Sequence, residues 1–230
     1  VTWDDKFMLD ENMAREWQYI MDLINVHEMS HSYFGDAVVA YDFAHVWLKE
    51  SWATYIESVW LEDSQGKDAM DWQMAEEARS YIGEAKNNYV RPIITREYDH
   101  SWNMFDMHLY PGGAWRLHML RNKVGDQRFW AGTQDYVNSY AGKTVKTVDF
   151  QRCIEKHSGI NLDSFFDMWF RSKGYPVLKV SFAYDSSWVE ENSPSIKSRW
   201  TRKKGSIFLK WISSLAGWIR GASFTLRPSH

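Results

Sequence analysis

His27, Glu28 and His31 stand in the order His-Glu-Met-Ser-His within an apolar stretch of helical periodicity, and Glu50 follows His31 after eighteen intervening residues. Helix positions four apart share a face, so both imidazoles can reach one ion. Glu28 is rotated by about a quarter turn from His27, which leaves its carboxylate beside the ion rather than on it. Catalytic zinc usually takes three protein ligands and keeps a fourth position for water. Two histidines on one turn therefore need a third ligand, and Glu50 is the candidate. With zinc held by His27, His31 and Glu50, water at the open position becomes acidic enough to react near neutrality. Glu28 then accepts its proton and passes it to a leaving amine. The expected metal is one Zn2+ per chain.

The same pattern arises by chance on charged amphipathic helices, and Glu50 could be a solvated side chain. Its neighbours argue otherwise, because Trp47, Leu48, Trp52, Ala53 and Tyr55 make the segment apolar and aromatic. A carboxylate in such surroundings needs a metal or a cation. Glu57, seven residues on, returns to the face of Glu50. It reads either as a partner that orients a ligating histidine or as an ordinary exposed glutamate.

These elements must be positioned by helices. Periodicity predicts a helix over Asp10 to Phe34, capped by Asp10 or Asn12 and broken at Gly35, with Ala37 to Phe43 as a connector that has room for a short extended piece. A second helix is predicted from Trp47 to Leu61. A third runs from Lys67 to Tyr89 with Ala69, Trp72, Ala75, Ala78 and Ile82 along its apolar stripe, ended by Pro92. Another spans Pro111 to about Val124, with shorter ones near Arg128 to Tyr140, Asp149 to Lys156 and Leu162 to Arg171. Val177 to Tyr184 alternates like a strand. The expected class is mainly α, with residues 1–184 as one domain and 185–230 as a tail.

His27 to Asp36 (His-Glu-Met-Ser-His-Ser-Tyr-Phe-Gly-Asp) together with Val46-Trp47-Leu48-Lys49-Glu50 resembles the gluzincin aminopeptidases of the aminopeptidase N type, which include the leukotriene hydrolase branch. Three further stretches carry the resemblance. Val1 to Phe7 is similar to the stretch immediately C-terminal to the family's Gly-x-Met-Glu-Asn segment, and Met104 to Ala114 resembles its tyrosine segment. Asp149-Phe150, Glu155, Ser158-Gly159, Leu162, Phe165-Phe166, Trp169 and Gly174-Tyr175-Pro176 resemble the end of its catalytic domain. Ser51 stands where glycine is more usual, Ser32 where glutamine is common, and Gly112 where lysine is common; the last weakens the tyrosine match.

The resemblance implies a thermolysin-like zincin catalytic domain and an activity that releases N-terminal residues from peptides. It assigns to Tyr110 the hydrogen bond to the tetrahedral oxyanion; on residue type alone, Tyr110 is one of 12 tyrosines and packing is the default. It also implies what lies outside the chain: the Gly-x-Met-Glu-Asn glutamate that recognises the free α-amine, and the flanking domains that wall the substrate cavity. The alternatives are an endopeptidase or epoxide hydrolase of the same architecture, or a zinc-binding fragment without turnover.

The remaining features bound the function more loosely. His108 is placed to line the cleft and His118 to pack or cap on its helix, while His45, His100, His157 and His230 read as surface or loop residues. Asp106 and Arg96 read as substrate-steering groups or as ordinary loop ion pairs. The single cysteine, Cys153, excludes an internal disulfide and reads as an inert buried thiol. Without a secretory signal or an apolar span of about eighteen residues, the expectation is a soluble, cytoplasmic protein. With valine as its first residue, the chain is expected to be part of something longer.

A net charge of -3 hides an asymmetry. From Ser186 onward, eight Lys or Arg oppose Glu190 and Glu191, a net of +6 that leaves -9 on the preceding residues. An acidic body gives no reason to expect nucleic-acid binding. The basic run Lys197 to Lys204 leads into the largely apolar Ile207 to Phe224. Together they read as a membrane-surface anchor, as a poorly folded or divergent strand region, or as the product of a reading-frame error or truncation.

Overall fold

The computed structural model describes residues 7–176 and the strand residues 179–182 and 222–225. The chain divides into two compact units, Val1–Gly174 and Tyr175–His230. In the first, the order is α1 (Glu11–Glu16), α2 (Gln18–Ser30), β1 (Val38–Ala40), α3 (Trp47–Gln65), α4 (Lys67–Asn87), α5 (Pro111–Val124), α6 (Asp126–Tyr140), β2 (Lys143–Val145), α7 (Thr147–Ser158) and α8 (Asp163–Phe166), the last continued by a π-helical turn over Asp167–Arg171. In the second, β3 (Lys179–Phe182) pairs antiparallel with β4 (Ala222–Thr225). The expected strand over Val177 to Tyr184 is therefore present as β3; the basic run of the tail and residues 1–6 lie outside the described residues. Among the described residues no helix is long and apolar enough to cross a membrane. The fold is mainly α.

The single helix expected over Asp10 to Phe34 is in fact two. Asp10 caps the first, its carboxylate accepting from the backbone N–H groups of Asn12 (2.9 Å) and Met13 (3.0 Å). Trp17, at φ -100° and ψ 10°, interrupts the run before α2 begins. Helix α2 stops at Ser30, where consecutive tight turns carry the chain to Gly35 at φ +138°. A side chain at Gly35 would be strained by that φ and would meet the Lys49 stem 3.0 Å away.

Helix α3 is the centre of the unit and packs against α2, α4 and α5. Trp47, Trp52, Ala53, Tyr55, Ser51, Ser58 and Leu61 are fully buried on it. Trp52 stacks on Phe34 at a centroid distance of 4.4 Å, with Phe129 of α6 and Phe150 of α7 each at 5.6 Å. Trp47 lies 4.4 Å from Phe170. Each fully buried large apolar side chain contributes about 1.5–3 kcal/mol, so α3, which carries Glu50, is firmly held.

Helix α4 buries Met70, Gln73, Met74, Tyr81 and Ala85, and leaves Trp72 exposed. The expected alanine-rich stripe is thus one step off. The larger Met and Tyr side chains, which bury more apolar area than alanine, set the rotation.

Helices α3 and α5 approach closely at a pair of small residues. A Cβ on Gly113 would fall 1.8 Å from Ser51 Oγ and 2.4 Å from its Cβ, and the Ser51 hydroxyl donates to the Leu109 carbonyl at 2.6 Å. Gly113→Ala is expected to destabilise the chain by about 1–3 kcal/mol, the usual range for overpacking. Ser51→Gly in the same chain is expected to recover part of that loss, less the helix-propensity cost of about 1 kcal/mol for a mid-helix glycine. Urea unfolding of the two single variants and the double variant measures the coupling.

His118 packs as expected. Its Nδ1 accepts from the Tyr55 hydroxyl at 3.2 Å, and burial, helped by the Arg121 charge, pushes the imidazole down to about 4. A depressed histidine takes up its proton more readily in the unfolded chain. Its contribution to stability is therefore whole above pH 6.5 and declines as pH falls toward 4. The unfolding midpoint of the native chain should drop across that window more steeply than that of His118→Gln.

Candidate active site

The last turn of α2 and the first turns of α3 face each other, and this brings the predicted residues together. His27 Nε2 lies 3.5 Å from Glu50 Oε2, and His31 Nε2 lies 3.4 Å from the same oxygen. The two rings are 4.9 Å apart and nearly perpendicular. Glu28 places a carboxylate oxygen within 4.8 Å of ring nitrogens of both. Tyr110, immediately before α5, has its ring centroid 6.1 Å from that of His27.

The far sides of the two imidazoles are occupied. His27 Nδ1 donates to Glu57 Oε1 at 2.7 Å, and His31 Nδ1 donates to the Phe34 carbonyl at 3.0 Å. Those bonds engage each Nδ1 and leave each Nε2 as the nitrogen that faces Glu50 and is available to a metal. Glu50 is 4 % exposed, and its second oxygen meets Lys49 Nζ at 3.1 Å. The stem of Lys49 is held against Gly35.

Burial of several acids beside two imidazoles sets the electrostatics. Burial would lower His27, but hydrogen bonds and charge from Glu50 and Glu57 outweigh it and raise the imidazole to about 9. Burial would raise Glu50, but hydrogen bonds from His27 and His31 and the Lys49 charge hold it well below the usual carboxylate range. Glu57 is raised by burial against the opposing pull of His27. Behind it, burial and the Glu57 charge lift Glu77 to about 7; Glu77 accepts from Gln73 at 2.9 Å, which accepts in turn from the Tyr19 hydroxyl. Tyr110 is raised by burial and by the Glu50 and Glu28 charges, so its phenol keeps its proton.

Two nitrogens and one oxygen sharing a focus are a donor set for zinc. Tetrahedral coordination with metal–ligand distances of about 2.0–2.1 Å separates neighbouring ligand atoms by about 3.3 Å. The separations of 3.4 and 3.5 Å from Glu50 Oε2 to the two ring nitrogens match that edge. A dication also offsets the surplus of carboxylates. The residues present fit the metal.

A second cluster, Glu84, Asp106 and His108, does not. His108 Nδ1 donates to Glu84 at 2.7 Å, and both oxygens of Asp106 are taken by Arg91, at 2.6 and 2.7 Å. The polar atoms that would face a cation there are already committed to one another. His108 is fully buried rather than lining the cleft, because its ring is enclosed between Tyr81 and Tyr89. Asp106 is likewise buried, so it does not steer substrate, and Arg96 pairs with Asp42 at 2.8 Å. His45 is buried too, its Nδ1 3.0 Å from the Thr147 hydroxyl; His100 and His157 are exposed, and His230 lies outside the described residues. Cys153 is buried, and its thiol is pushed up to about 11. Sequence reasoning gives no role to Lys49, Glu84, Tyr89 or Arg91, whose types alone suggest exposed or loop positions.

Two histidines four apart at the end of one helix, a glutamate between them and a second glutamate from the next helix, set in a mainly helical unit, define the helical lobe of a zincin. Residues 1–169 match the Peptidase family M1 domain, and the chain belongs to that family. It is 31% identical over 177 residues to aminopeptidase A of Gloydius brevicauda, covering 74% of this chain and 18% of that protein. Over 162 residues it is 31% identical to tricorn protease-interacting factor F2 of Thermoplasma volcanium, covering 67% of this chain and 20% of the relative. Among solved structures, an M1 zinc metallopeptidase mutant of Deinococcus radiodurans bound to a Tyr-Ser-Ala substrate superposes with a TM-score of 0.57 at 29% identity, covering 68% of this chain and 34% of that one. The chain thus spans about a fifth of the length of the curated relatives it matches.

Proposed function

We propose that this chain is the catalytic core of a zinc aminopeptidase, a hydrolase that removes N-terminal residues from peptides. The observation that carries the reading is the shared focus of His27 Nε2, His31 Nε2 and Glu50 Oε2, with Glu28 and Tyr110 on its rim. His27, His31 and Glu50 hold one zinc per chain. When bound, the metal supplies Lewis acidity toward water and toward a peptide carbonyl. Glu57 and the Phe34 carbonyl keep both imidazoles in the ligating tautomer, and Lys49 keeps Glu50 ionised and aimed. Glu28 accepts the proton of the attacking water and delivers it to the leaving amine. Tyr110 donates its phenolic hydrogen to the oxygen that gains charge in the tetrahedral intermediate. The Peptidase M1 match over residues 1–169 and the names of the relatives support the assignment.

An aminoacyl anilide and its N-acetylated twin, assayed with and without chelator alongside zinc analysis of the purified chain, test the reading. Cleavage of the free amine alone, abolished by chelator, is the expected result. One zinc per chain with cleavage of both substrates would replace aminopeptidase by endopeptidase. One zinc with no cleavage would reduce the chain to a metal-binding fragment.

A further inference from the structure

We infer that the buried Arg91–Asp106 pair, together with Tyr89, His108 and Glu84, is the device that positions Tyr110; this rests on the oxyanion role proposed for Tyr110. The Asp106 carboxylate accepts from Arg91 Nε (2.7 Å), Arg91 Nη2 (2.6 Å), the Tyr89 hydroxyl (2.7 Å) and the Leu109 backbone N–H (2.9 Å). Its own carbonyl accepts from the N–H of Tyr110 at 3.1 Å. One residue thus closes the turn that ends at Tyr110 through side chain and backbone together. The rest of the Arg91 guanidinium donates to the carbonyls of Pro92 (2.8 Å), Ile93 (3.1 Å) and Met104 (3.0 Å), which ties the segment after α4 to the segment before α5. His108 anchors the middle of the turn to α4, through Glu84 and through its ring, stacked on Tyr89 at 5.3 Å and met by the edge of Tyr81 at 5.2 Å.

The chemistry explains why polar groups sit where apolar ones would hold the fold as well. A buried ion pair contributes little net stability compared with well-packed hydrophobic residues. A fork of directed hydrogen bonds, by contrast, fixes position in a way that apolar packing does not. Tyr110 needs such fixing. It stands before α5 at φ -71° and ψ -82°, on irregular backbone that no helix or strand defines. An oxyanion donor misplaced by about 1 Å can cost on the order of a hundredfold in rate.

Asp106→Asn and Arg91→Lys test the inference, with Tyr89→Phe as the mildest change should either fail to fold. Each is made in the full chain carrying 3-fluorotyrosine at position 110, or at position 136 as a reference in the aromatic core, and read by fluorine NMR. The expected result is a shift or broadening of the Tyr110 resonance in the folded variants, with the Tyr136 resonance and the zinc content unchanged. Where the chain turns over substrate, kcat should fall by about ten- to a hundredfold with KM little changed, and the loss should not multiply with that of Tyr110→Phe. An unmoved Tyr110 resonance in a folded Asp106→Asn chain, or effects that multiply, would overturn the inference. A resonance that moves while Tyr110→Phe leaves turnover intact would support the positioning role and remove the oxyanion role instead.

Discussion

Glu28→Gln is expected to lower turnover by about two to four orders of magnitude, the range that a positioned acid–base group supplies, while the chain keeps its zinc. The two halves of that result have separate physical causes. Glutamine retains the shape of the side chain and the polarity of the rim but cannot accept a proton from water. The donor set is untouched, because the Nε2 atoms of His27 and His31 meet at Glu50, whose carboxylate is held by Lys49 and not by Glu28. Measuring kcat/KM beside metal content separates the two. Loss of zinc in the glutamine variant would move Glu28 from proton carrier to ligand.

Tyr110→Phe is expected to cost about two to three orders of magnitude in kcat, the usual effect of removing one oxyanion donor, with KM changed little. The phenylalanine ring keeps the contacts with Phe105 and His27 and deletes only the hydroxyl. The hydroxyl is a donor throughout the working pH range, since burial and the Glu50 and Glu28 charges all disfavour its ionisation. The loss should therefore be uniform with pH. A KM rise with unchanged kcat would instead place the phenol against the ground-state substrate.

Much of this centre is legible from spacing. The four-residue repeat puts His27 and His31 on one face, and seven residues carry Glu57 back to the face of Glu50, close enough for Glu57 to reach His27. Local periodicity suffices because Glu50 and Glu57 share one helix and His31, the residue that caps α2, keeps helical dihedrals. The break at Trp17 escapes it, since nothing in residue type there demands a non-helical ψ. The pairing of β1 with β2 escapes it for another reason. Each is three residues long, too short for alternation to register, and they lie about a hundred residues apart. The Arg91–Asp106–His108 cluster defeats a sequence reading because charged residues are rarely buried unless paired, and their partners come from distant segments. His45 does so for the same reason: its partner, Thr147, is 102 residues away.

That distant pairing sets an order of assembly. The connector between the two helices that face the site runs from His31 to Val46, and it is pinned by a later part of the unit. Val38 to Ala40 pair in parallel with Lys143 to Val145, the Gly142 N–H bonds the Ala37 carbonyl, and the Thr147 hydroxyl accepts from Trp47 Nε1 at 2.8 Å. His27, His31 and Glu50 emerge from synthesis before the strand that registers their connector, which follows about a hundred residues later. The nascent chain therefore carries these three side chains before it carries the strand pairing that registers the connector between them.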